Sequence, residues 1–244
     1  MITQPLSLRI MLALACGVSL CGSSEGAVVM DQIGDANTYV FVGSTPSQQF
    51  TDIPSWDCMV IDDFTVGASE LQVTRVSCLL WAQFGFDKFQ DVLGYQLSVF
   101  SAPGMAATNL LGDVGSLIVI AGSGASVTQV SGSDYGLVSL NVNLSLPAAG
   151  TYWVGVSPQA ADSIAGRFYV LHSGAQGPIT PGNLNGEFAN PDNGLDYGAL
   201  NLMNVDYAYA VTVVPESSSI TLWILGSLGC LCRRQRGRKA IHPA

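Results

Sequence analysis

Few residues of this 244-residue chain are of types that carry chemistry, and their spacing limits what they can do. The only histidines are His172 and His242. A Ser-His-Asp triad or a histidine-rich zinc site in the body would therefore depend on His172 alone. A lone histidine at a strand end also has a plain structural reading. Asp62 and Asp63 are adjacent in an apolar run, where alternation sends them to opposite faces. By themselves they cannot form the facing carboxylate pair of a glycosidase. Asp192, Asn193 and Asp196 crowd a loop around Gly194, with Glu187 upstream. Hard oxygen donors in a Gly/Asn loop suit Ca²⁺, although the spacing is not that of an EF-hand. An ordinary Asp/Asn turn explains the same residues. Trp153 follows Tyr152 and precedes Val154; if Tyr152, Val154 and Val156 face a core, Trp153 faces outward and is a candidate for stacking on a sugar. It would equally cover a neighbouring strand or loop. No phosphate loop, nucleotide fingerprint or His-Glu-x-x-His motif is present. No catalytic residue is assigned, and no cofactor beyond Ca²⁺ is considered.

These residues need a scaffold, and the hydrophobic pattern points to an all-β one. Val138, Leu140, Val142, Leu144 and Leu146 alternate with Ser139, Asn141, Asn143 and Ser145, the pattern of a strand with one buried and one wet face. Residues 58–66, 95–99, 117–120, 151–156, 167–171 and 207–213 read as further strands, with Gly67 and Pro158 as strand enders. The stretch 38–42 reads as a short strand. Leu71 and Val73 fall on one parity and Val76, Cys78 and Leu80 on the other, so a bulge is expected near Thr74-Arg75. Residues 173–198, rich in Gly, Asn and Pro, read as one long loop. Nine or ten short strands, separated by turn residues and without helical periodicity, predict an antiparallel sandwich of jelly-roll type.

Composition supports this. The chain is 48% hydrophobic and 11% charged, with 27 Gly and 11 Pro. Such a chain sustains a core and is not disordered. Of nine Lys and Arg, only Arg75, Lys88 and Arg167 belong to the body, against sixteen acids, a balance of −13. That excess repels nucleic acid and anionic headgroups. It also fits a solubilising surface. Of six cysteines, Cys58 and Cys78 alone lie in the body. In an exported chain they are candidates for one disulfide, whose loop of about 20 residues would contribute roughly 3 kcal/mol. Two buried free thiols are the alternative.

The two ends of the chain carry addresses. Residues 1–26 read as a secretory signal: Arg9, then an apolar run from Ile10 to Leu20 too short to span a bilayer, then small residues with Ser24 and Gly26 suited to a cut before Ala27. A lipoprotein cysteine at Cys16 is the rival, against a poorly matching Ala13-Leu14-Ala15. At the other end, Val214-Pro215-Glu216-Ser217 precedes an apolar run from Ile220 to Cys232. Arg233, Arg234 and Arg236 then form a basic stop, followed by Arg238 and Lys239. The run has 13 residues against about 20 for a stable span, so it engages a membrane transiently and is a poor permanent anchor. The basic cluster fits a cytoplasmic stop.

This tripartite tail resembles the PEP-CTERM sorting signal of bacterial exported proteins, with Ser217 where that signal usually has Pro. The resemblance implies recognition and removal of the tail by exosortase, a membrane cysteine protease. The body is more loosely similar to the β-sandwich domains of such proteins, through Val60-Ile61-Asp62-Asp63-Phe64 and Leu146-Pro147-Ala148-Ala149-Gly150-Thr151-Tyr152-Trp153. The expected organisation is a signal peptide at 1–26 with its hydrophobic helix, a sandwich ectodomain at 27–213 and a sorting segment with a hydrophobic helix at 214–239. The expected protein is a non-catalytic structural or adhesive component of a bacterial cell surface or extracellular matrix. Its expected partners are an exosortase-type protease and extracellular polysaccharide. A carbohydrate-binding module and a secreted hydrolase are the alternatives. The first would show an exposed aromatic row, the second an acid pair with a raised pKa in a cleft.

Overall fold

A computed structural model of the chain describes residues 26–69, 71–173, 183–196 and 198–214. The expected signal helix, the apolar tail helix, Pro215, Glu216, Ser217 and the arginine stop lie outside these residues, apart from Gly26 at the edge of the signal and Val214 at the start of the motif. The body is a sandwich of two seven-stranded sheets. In chain order the strands are β1 Ala27–Asp31, β2 Ser44–Pro46, β3 Gln49–Phe50, β4 Met59–Val66, β5 Gln72–Ala82, β6 Gly94–Phe100 and β7 Gly115–Ile120. They continue as β8 Ala125–Gln129, β9 Tyr135–Ser145, β10 Gly150–Ala160, β11 Phe168–Leu171, β12 Glu187–Ala189, β13 Leu200–Leu202 and β14 Tyr209–Val214. One helical turn, α1 Asp162–Ala165, follows β10. Among the described residues no helix is long and apolar enough to cross a membrane.

In the first sheet β5 is central. One of its edges pairs with β9, which pairs with β8; the other pairs with β14 and β11, flanked in turn by β1 and β2. The second sheet runs β13-β12-β4-β10-β6-β7, with β3 added in parallel to the end of β10. Val60, Phe64, Leu97, Val99, Tyr152, Val154 and Val156 of the second sheet meet Val76, Cys78, Leu80, Val138, Leu140, Val211 and Val213 of the first in one core. Each fully buried side chain of this kind contributes roughly 1.5–3 kcal/mol. The pairing of β5 with β9 shifts register between Val73 and Arg75. That bulge lets Val73 and Val76 reach the same core despite their opposite parity. Smaller apolar clusters cover part of each outer face: Met59, Ile61 and Phe100 under Ala106 and Leu110 on the second sheet, and Leu79 with Ile33 and Val130 on the first. Strands covered on both sides need no clean alternation, which explains the continuous apolar run in β5.

Some expectations change. Residues 38–42 are not a strand; Ala36–Thr38 form a 3-10 turn capped by the Asp35 side chain, and the chain then leaves the sheet with Val40, Phe41 and Val42 exposed. The long loop contains β12, whose three residues pair with both β4 and β13. β10 does not end at Pro158. It can pass through the proline because β4 pairs with it only as far as Gly155, so no full ladder is broken on that side.

Candidate functional site

The most unusual chemistry is buried between the sheets. In β4 the inward positions read Val60, Asp62, Phe64 and Val66, so a carboxyl occupies a core position. Asp62 is 0% exposed. Its Oδ2 accepts from the backbone N–H of Tyr207 at 2.6 Å and its Oδ1 from that of Asp63 at 2.9 Å. With its amide turned to suit both neighbours, Gln32 Nε2 donates to Asp62 Oδ2 at 3.0 Å and to the Tyr207 carbonyl. Asp206 closes the group, accepting the N–H of Leu184 at 2.9 Å, while Asp63 on the outward side accepts from Asn183 Nδ2 at 3.0 Å. Burial pushes the Asp62 carboxyl well above its ordinary range. The N–H donors of Tyr207 and Asp63 oppose that rise, and the charges of Asp206 and Asp63 add to it. Asp206 is raised as well, again chiefly by burial. The result is a buried polar knot tying β4 to the segments before β12 and β14.

A second polar chain runs from it. Tyr207 Oη donates to Thr45 Oγ1 at 3.2 Å, and Thr45 Oγ1 lies 2.9 Å from His172 Nε2. Tyr39 Oη donates to the His172 carbonyl. Burial lowers the His172 pKa, favouring the neutral ring that can take the threonine proton. A hydroxyl on an imidazole has the atoms of a nucleophile and its base. Here Thr45 is only 4% exposed, its oxygen already serves the Tyr207 phenol, and a Cβ on Gly43 would come within 2.5 Å of His172 Nδ1. The arrangement acts as a clasp joining β2, the end of β11 and the approach to β14. Beside it, Ser44, Thr45, Pro46, Phe188, Asn201, Leu202 and Met203 line an open cavity of about 410 Å³ at the sheet edges.

Of the residues singled out in the sequence, Asp62, Asp63 and His172 belong to these networks, whereas the calcium and sugar candidates lie elsewhere. Asp192, Asn193 and Asp196 are exposed, beyond the end of β12. Their loop consumes much of its own oxygen: Asn193 Oδ1 accepts the Gly198 N–H, Asn190 Oδ1 accepts the Leu195 N–H at 3.1 Å, and the Asn193 carbonyl accepts the Asp196 N–H at 3.1 Å. Asn193 and Asp196 hold φ of 52° and 58°, a conformation Asn and Asp tolerate better than most residues. Glu187 is on β12, apart from this loop. Among the described residues no group of three His, Cys, Asp or Glu is arranged to hold a metal ion.

Trp153 does face away from the main core, opposite Tyr152 and Val154, and packs half-buried against the cluster of Met59, Ile61 and Phe100. Trp56 lies under the Arg167 guanidinium, 4.9 Å from the ring centroid, and Trp81 packs on Tyr169. Trp56, Trp81 and Trp153 thus serve separate contacts. The disulfide between Cys58 and Cys78 is not formed: both are free, buried thiols. Cys58 lies at the start of β4 and Cys78 in β5, on facing sheets that typically stand about 10 Å apart, wider than a disulfide spans. Burial pushes the Cys58 thiol up to about 12 and Cys78 upward too, so neither is a reactive thiolate.

Gln32, Thr45, Asp206 and Tyr207 were not legible as a group. The available signal was the acid in an inward-parity position of the Val60-to-Val66 strand. No protein-family model, no curated protein and no solved structure matches this chain.

Proposed function

We propose that the protein is an exported, non-catalytic component of a bacterial cell surface or extracellular matrix, structural or adhesive in role, sorted by its C-terminal tail. The body is a jelly-roll-like ectodomain. An exosortase-type protease removes the tail near Pro215-Glu216, the membrane is engaged only transiently, and extracellular polysaccharide is the final surrounding. The observation that carries this reading is where the expected addresses adjoin the sheet. β14 ends at Val214, immediately before Pro215-Glu216, and β1 begins at Ala27, at the expected signal cut. Ala27 pairs with Val213, so the residues adjoining the two expected addresses lie side by side on neighbouring strands of the first sheet. Fractionation of cells carrying the native chain and a chain truncated after Val214 tests this. The native chain is expected at the surface and the truncated one in the medium; equal surface retention of both defeats the sorting reading.

A further inference from the structure

This inference rests on the reading above, that the uncut tail engages a membrane. The sandwich has two unlike ends. Val66 pairs with Gly150, Gln72 pairs with both Ser145 and Val214, and Ala27 pairs with Val213. The β4–β5 turn, the β9–β10 turn, the start of β1 and the end of β14 therefore share one end of the sandwich. The exposed described residues there include Ala27, Gly67, Ala68, Pro147, Ala148 and Ala149, with Asp113 beside the end of β6, where it accepts the Ser101 N–H at 2.9 Å, as the described acid. Glu70, in the β4–β5 turn, lies outside the described residues. Tyr152 Oη holds the second turn, donating to the Ala148 carbonyl at 2.8 Å and accepting its N–H at 3.3 Å. The opposite end, where β5 stops and β4 starts, carries Asp52, Asp57, Asp91, Asp134, Asp162 and Asp192 against only Lys88 and Arg167.

Tether length decides which end meets the lipid. Ile220, where the apolar run begins, is six Cα steps beyond Val214, at most about 22 Å fully extended. The strand β10 runs from the acid-poor end to the acidic one over eleven residues, about 35 Å. A bilayer-engaged tail cannot let the acidic end reach the headgroups without laying the whole body on its side. Standing upright, the acids sit several Debye lengths of about 8 Å from an anionic surface.

We propose that, while the tail is uncut, the sandwich stands on the bilayer with its acid-poor end (the Gly67–Ser69 and Pro147–Ala149 turns) toward the headgroup layer and its acid-rich end pointing away.

The test uses the full chain reconstituted in phosphatidylcholine–phosphatidylglycerol vesicles, with a benzophenone amino acid replacing either Ala149 or Asp134. Both positions are in turns, and unchanged melting confirms each folded protein. After irradiation, lipid adducts are measured by mass spectrometry on protein that floats with the vesicles. Adduct yield at position 149 is expected to exceed that at 134 by at least about tenfold, reflecting a contact present at one end and absent at the other. Equal yields, or a higher yield at 134, on floating protein overturn the upright orientation but leave membrane engagement intact. Failure of the chain to float overturns both.

Discussion

Two groups of carboxylates occupy opposite extremes of solvent access in this molecule. Asp192 and Asp196 lie in an exposed loop, among turn residues that satisfy one another through short-range backbone bonds. Asp62 is sealed between two sheets, bound to Tyr207 across 145 positions of sequence. The same functional group thus does two different jobs. In the loop it is exposed to solvent. In the core it must hold either a proton or an unfavourable charge, and in both states it fixes three strands relative to one another. Density of acids along the sequence marks the first situation. Strength of environment marks the second.

The sharpest way to break this contrast is to truncate the buried acid. Asp62→Ala leaves the Tyr207 N–H and the Gln32 amide without their acceptor, so a loss of about 3 kcal/mol is expected in urea denaturation. A loss no larger than that of an exposed loop acid would show that water or a side-chain shift replaces the carboxylate. Next comes the pH dependence. Because burial raises the folded-state pKa of Asp62, the native state binds more protons than the unfolded chain from about pH 4 up to that raised value. The resulting stability is complete below about pH 4 and is lost as pH rises. Asp62→Asn removes this slope, so its melting temperature should converge with the parent in acid and exceed it toward alkaline pH. Parallel melting curves across pH 4–9 would contradict the assignment.

Smaller effects are expected in the loop. Asn193→Ala loses the bond to Gly198 and puts an alanine at φ 52°, for about 1 kcal/mol, whereas Asn193→Gly should cost only a few tenths. Equal losses in both variants would mean that the backbone conformation there is not left-handed in solution. Asp192→Asn should change stability by less than about 0.5 kcal/mol. It should nevertheless be felt at Asp57, whose carboxyl is raised to about 6 by burial, opposed by the Phe50 N–H and assisted by the Asp192 charge. NMR titration should show the Asp57 midpoint moving down in Asp192→Asn; an unmoved midpoint would separate the two residues.

The strands that face one core and one solvent layer were legible because their side chains alternate. β9 and the start of β10 are examples, and the bulge in β5 was readable as a parity switch between Val73 and Val76. What stayed hidden was set by distant partners. β12 has three residues in a Gly- and Asn-rich stretch and exists because β4 offers it an edge. The 38–42 run has the residue types of a strand, yet no edge accepts it. Trp153 was correctly turned outward by parity, but its cover comes from the 101–113 connection, which no local pattern links to it. The same holds for the buried knot. Its members Gln32, Asp62 and Tyr207 come from three separated parts of the chain, so composition drew attention to the acid-rich loop instead.

The position of β14 has a consequence for how the molecule is made. It is the last of the described strands to be synthesised, yet it sits inside the first sheet between β1 and β5. Among the described strands β1 pairs with β14 alone, through contacts that close nearly the whole body into one loop. A chain threaded through an export channel from its N-terminus must leave β1 without its partner, and β5 with one ladder incomplete, until residue 214 has emerged. Pairing of such long sequence separation is intrinsically slow. On the export route proposed above, the chain would therefore stay pliable enough to thread for almost the entire passage, and the sheet would close only once residue 214 had emerged.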